Sequence, residues 1–114
     1  KTYLLQSEDG AKSLGGNSLG AGIQYFGVGP LHSYLHDQKA VTYTSATDSE
    51  ILNAYKMIAK YEGISSALEP MAAAAHLIKI AKDKPKDFLI CLSLCGRGEK
   101  DLDTLEQHIG KDFE

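Results

Sequence analysis

The run Phe88-Leu89-Ile90-Cys91-Leu92-Ser93-Leu94-Cys95 is apolar almost without interruption. A strand with one wet face alternates apolar and polar residues; a strand covered on both faces does not. This pattern therefore predicts a buried strand. It lies between helical segments, in the order helix, helix, strand, loop, helix, and that order predicts an α/β fold with a mostly parallel sheet covered by helices. Thr2-Tyr3-Leu4-Leu5-Gln6 and Val41-Thr42-Tyr43-Thr44-Ser45 are further strand candidates.

The helices carry clear start and stop signals. Thr47-Asp48-Ser49-Glu50 is a capping box, and it opens a helix that places Ile51, Tyr55, Ile58 and Ala59 on one face. Gly63 is its natural stop. Glu69-Pro70 begins a second helix, Met71 to about Lys82, whose alanines 72–75 let another backbone approach closely. Pro30 suits the first position of a short helix through Leu31-His32-Ser33-Tyr34-Leu35-His36, where its missing N–H is not needed. A last helix runs from about Asp101 to Ile109. Seven of the 11 glycines fall between Gly10 and Gly29, a stretch without helical or strand periodicity that reads as an ordered loop of tight turns.

Composition narrows the function classes. With 43% hydrophobic and 24% charged residues the 114-residue chain is neither disordered nor low-complexity, and its length suits one domain. A net charge of −3 argues against a partner built on a phosphate backbone. No apolar run reaches the roughly 20 residues of a membrane-spanning helix. Cys91 and Cys95, about 13 Å apart along a strand, are too distant for a disulfide, and reduced thiols suit a cytoplasmic setting. The chain starts at Lys1 without a methionine or a leader and reads as a piece of something longer.

The loop Cys95-Gly96-Arg97-Gly98-Glu99-Lys100-Asp101 joins a predicted strand to a helix, where α/β sheets line their ligand crevice. Its backbone N–H groups suit an anion or a heteroaromatic ring, and a plain tight turn is the alternative. It is not a dinucleotide fingerprint, since Asp101 stands where the third glycine would be, and it lacks the spacing of a phosphate loop. Glu69, beside the apolar Ala67-Leu68, is either a structural cap or a site residue. His32 and His36 share a helix face with Asp37 adjacent, but without a third ligand they read as solvated histidines; His76, amid alanines, reads as a helix-face residue. No lysine is placed as a desolvated Schiff-base lysine would be.

Three segments together resemble the C-terminal portion of the tryptophan synthase β family. They are Ala21-Gly22-Ile23-Gln24-Tyr25-Phe26-Gly27-Val28-Gly29-Pro30, Lys60-Tyr61-Glu62-Gly63-Ile64 with Ala67-Leu68-Glu69, and Gly96-Arg97-Gly98-Glu99-Lys100-Asp101. The resemblance implies part of a fold type II catalytic domain, either as a single domain over 1–114 or as a C-terminal fragment of a larger one. It also implies pyridoxal phosphate and the β-replacement of L-serine with indole to give L-tryptophan. The implied partners are the remainder of the β chain, an α chain and a second β chain.

In that family the residue before G-R-G meets the pyridine nitrogen; it is a serine there and Cys95 here, with Gly96 following. The glutamate of A-L-E lies near the cofactor ring and maps onto Glu69. The aspartate of G-L-D-Y-P, on the substrate side, maps onto Gln24, and the next proline becomes Phe26. Main-chain carbonyls that hold a monovalent cation map onto Ile23, Tyr25 and Gly27, and the T-H-S segment onto Gly16-Asn17-Ser18. The cofactor-bearing lysine and the phosphate loop lie outside the resembling region, so this chain by itself is expected to be inactive, with no catalytic residue of its own. A diverged, non-catalytic α/β module that binds a partner is the rival reading, on the strength of Gln24, Cys95 and Gly16-Asn17. An unrelated small-ligand-binding domain is a third.

Overall fold

The computed structural model describes residues 1–110, and the chain divides into two compact units, the second beginning at Ser45. In the first unit the N-terminal segment lies against the glycine-rich stretch. Leu4 and Gly27 form one antiparallel bridge and Gln6 and Ser13 another. A 3-10 turn, Ala21–Ile23, precedes helix α1, Pro30–Asp37, with Pro30 at its start as the sequence predicts. Ser33, on α1, is buried; its hydroxyl donates to the Gly29 carbonyl at 3.3 Å and accepts from the Tyr3 N–H at 3.2 Å, tying the N-terminal segment to the helix.

The second unit is a helical hairpin with a third helix attached. Helix α2, Asp48–Glu62, opens on the complete capping box: Thr47 Oγ1 accepts from the Glu50 N–H, and the Glu50 carboxylate accepts from the Thr47 N–H at 2.8 Å. It closes at Gly63, whose φ of 67° belongs to the left-handed region that glycine enters without strain. Helix α3, Leu68–Ala81, packs against α2. The helix begins before Glu69-Pro70, because the first-turn N–H groups need no intrahelical acceptor and Pro70 removes only one of those. Ile51, Ala54 and Tyr55 of α2 meet Leu68, Met71, Ala74 and Ala75 of α3 as the unit's buried core. Ile58 and Ala59 are only partly covered. A 3-10 turn, Gly98–Asp101, leads into α4, Leu102–Ile109, which buries Leu105 and Ile109.

The predicted sheet is absent among the described residues. Residues 88–94 carry no regular secondary structure and no ladder, and 2–6 and 41–45 contribute isolated bridges or none. The expected buried strand is an exposed apolar segment: Leu89 is 94% exposed and Phe88 51%. Cys91 and Cys95 are exposed free thiols rather than core residues. The physical reason is that a strand, unlike a helix, takes its hydrogen bonds from a neighbouring segment. No such neighbour lies along 88–94 in the described residues.

Candidate functional site

The cluster begins with an unusual helix start. Ala67 occupies the N-cap of α3 and has no side-chain oxygen to satisfy the first N–H groups. Asp101, distant in sequence, fills the gap: its Oδ2 accepts from the Leu68 N–H at 2.8 Å, and the residue is buried. The loop before α4 is thereby pressed onto residues 65–67. Ser66 Oγ donates to the Cys95 carbonyl at 3.3 Å. Gly96 has a φ of +80°, and a Cβ there would come within 2.8 Å of the Ala67 Cβ. Gly98 is buried, and a Cβ on it would lie 2.2 Å from Ser65 Oγ and 3.1 Å from the Ser65 carbonyl. These close approaches explain why both loop positions are glycine. Ser65 is itself anchored, its hydroxyl 3.0 Å from the Tyr55 hydroxyl of α2.

Lys100 ties the two sides together. Its Nζ donates to Asp101 Oδ1 at 2.7 Å and Oδ2 at 2.8 Å, and to Glu69 Oε1 at 3.0 Å. It also lies 2.9 Å from Glu69 Oε2. Partial burial by itself would lower the Lys100 pKa, but its hydrogen bonds to Asp101 and Glu69 and their charges outweigh it and leave it above the ordinary lysine value. Glu69 therefore sits in the first turn of α3 as the partner of a cation, where the helix dipole also favours a negative charge. It is not the N-cap, so of the two roles open from sequence the capping one falls away.

Cys95, Gly96 and Glu69 are thus brought together in the second unit, with the Cys95 thiol exposed. Sequence reasoning missed Lys100, Asp101 and Ser66. The signal available was Ala67-Leu68-Glu69-Pro70: a helix start with no capping side chain, which obliges an acceptor from elsewhere.

The residues around Gln24 belong to the first unit. Gln24 Nε2 donates to the Ser18 carbonyl at 2.6 Å, and the Gln24 carbonyl accepts from the Gly16 N–H at 2.9 Å. The Gln24 amide thus pins its own loop. Gly16 is pressed so closely on Gln24 that a Cβ would lie 2.6 Å from that carbonyl. The Phe26 carbonyl accepts from the Leu5 N–H. The carbonyls of Ile23, Tyr25 and Gly27 alternate along the chain with these two.

His32 and His36 face a cleft of about 300 Å³ with Tyr3, Val28, Ser33 and Tyr43. His32 Nδ1 is 3.0 Å from the Tyr43 hydroxyl, and Tyr3 meets the edge of the His36 ring at 5.4 Å. Among the described residues no group of three or more His, Cys, Asp or Glu side chains could hold a metal ion. Nor is any helix there long and apolar enough to cross a membrane.

No family model matches the chain. Individual relatives do. It is 48% identical over 113 residues, 99% of its length, to the tryptophan synthase β chain of Dinoroseobacter shibae. It is 48% identical over 110 residues, 96% of its length, to that of Roseobacter denitrificans. Against that of Bradyrhizobium sp. the figures are 46% over 111 residues, 97% of its length. In each case it spans 27% of the relative, about a quarter of the length of the curated proteins it matches.

Proposed function

This chain is homologous to a segment of the tryptophan synthase β chain, and we propose that it is the C-terminal portion of such an enzyme's catalytic domain. In this reading it forms one wall of a pyridoxal-phosphate site for the β-replacement of L-serine with indole. The observation that carries the reading is the packing of the 95–101 loop onto the start of α3, which gathers Cys95, Gly96 and Glu69.

The residues present fit one edge of a planar heteroaromatic group. Gly96 offers flat backbone with no side chain, Cys95 an exposed thiol, and Glu69 a carboxylate held by Lys100. Pyridoxal phosphate, when bound, supplies the electron sink for carbanion chemistry. The chain's own part is to seat the ring and tune it. The Cys95 thiol would face the ring nitrogen as a weak hydrogen-bond partner, and Glu69 would set a fixed negative charge beside the ring. Gln24 would stand on the substrate side, where a neutral amide makes weaker hydrogen bonds to a cationic group than a carboxylate does. The carbonyls of Ile23, Tyr25 and Gly27 would accept a monovalent cation. The remainder of the β chain would supply the cofactor lysine and the phosphate loop. An α chain and a second β chain are the further partners of the complete enzyme, and its setting is cytoplasmic.

A chimera tests this. Residues 1–114 replace the matching quarter of the Dinoroseobacter shibae β chain, and cofactor uptake is followed by visible absorbance. The chimera is expected to load pyridoxal phosphate and to make tryptophan from L-serine and indole. Gln24→Asp with Cys95→Ser should raise kcat/KM by about tenfold, the difference between neutral and charge-assisted hydrogen bonds. A folded chimera that takes up no cofactor overturns the reading.

A further inference from the structure

We propose that Lys100 is a positioning residue of this site: its ammonium, clasped between two carboxylates, holds Glu69 ionised at the start of α3 and locks it to the loop that carries Cys95 and Gly96. The proposal rests on the reading that these residues border the cofactor ring. Its own support is geometric.

All four carboxylate oxygens of Glu69 and Asp101 lie between 2.7 and 3.0 Å from Lys100 Nζ. Each carboxylate has a different second duty. Asp101 accepts from the Leu68 N–H and so fixes where α3 begins. Glu69 stands one residue further on, in the first turn of that helix. Lys100 precedes Asp101 in the 3-10 turn that follows Cys95-Gly96-Arg97. One ammonium therefore couples the loop's backbone, the helix start and the Glu69 side chain.

Removing the ammonium leaves two carboxylates facing one another with no cation between them. Like charges brought close disfavour each other's ionised form, so protonation of the pair becomes easier than it is with the ammonium in place. Glu69 would then lose this ion pair, and the charge beside the ring would depend on pH. The same clasp makes Lys100 unfit to be a nucleophilic amine, because a lysine in that role has to shed its proton.

The chimera described above provides the setting, with the pH dependence of the bound cofactor's visible absorbance as the main readout. Lys100→Met is expected to retain cofactor uptake while its absorbance band shifts between about pH 5 and 8, a range over which the parent's is constant. Its kcat should fall at least about tenfold, with a smaller change in the KM for serine. Lys100→Arg should restore the constant band, since it keeps the charge. The double variant Glu69→Gln/Lys100→Met should also lose the pH-dependent shift, because the repelling pair is gone. If Lys100→Met does not fold, Lys100→Gln, one atom shorter and neutral but still a donor, is read in the same way.

A band that follows the parent's at every pH in Lys100→Met, or in Lys100→Gln where that stands in, overturns the proposal and leaves the cofactor reading standing. A folded parent chimera that takes up no pyridoxal phosphate overturns both.

Discussion

Asp101 is the residue on which the second unit's local order turns, and its role could not be read from its neighbours in sequence. It replaces an absent N-cap on α3 and is itself buried. Asp101→Ala should lower the unfolding free energy by about 2 kcal/mol, the range expected for losing a cap whose acceptor is charged. Urea unfolding followed by helix circular dichroism measures this, and an unchanged midpoint would count against the capping role.

Asp37 behaves differently because it is exposed. The Tyr3 hydroxyl and the Lys1 ammonium donate to its carboxylate and lower its pKa from 3.8 to about 2. A carboxylate whose folded pKa is depressed lends stability that is fully present above its unfolded value. That contribution is lost as pH falls from about 4 through about 2. Asp37→Asn should therefore flatten the acid-induced loosening of the first unit in that window, read from Tyr3 ring resonances.

Among the elements, the helices were legible and the strands were not. The capping box before α2, Gly63 after it and Pro30 at the start of α1 stand in the structure as the sequence signals them. Each signal works through hydrogen bonds and backbone preferences within a few residues, so nothing distant needs to be known. Thr47→Ala should lower stability by about 1 kcal/mol, and a shift of the thermal midpoint on calorimetry checks it. The apolar run at 88–94 carries an equally strong pattern, yet it forms no strand and is largely exposed. Its pattern reports what it is suited to lie against, and that neighbour is not among the described residues.

At the scale of the molecule, the apolar surface left open points the same way. Leu89, Tyr25 and Leu31 are 94%, 78% and 65% exposed. On the proposed reading, the rest of the β chain would cover them, since the chain spans 27% of the relative it matches.

The sequence by itself determined the start of α1, both ends of α2, the glycines of the tight loops and, through its ordered motifs, the homology to the tryptophan synthase β chain. Those are local or linear properties. Tertiary structure alone decided that Asp101 caps α3, that Lys100 clasps Glu69, and that Gln24 bonds to the Ser18 carbonyl. Each of these joins groups that only the folded chain brings within hydrogen-bond distance, so no spacing in the sequence records it.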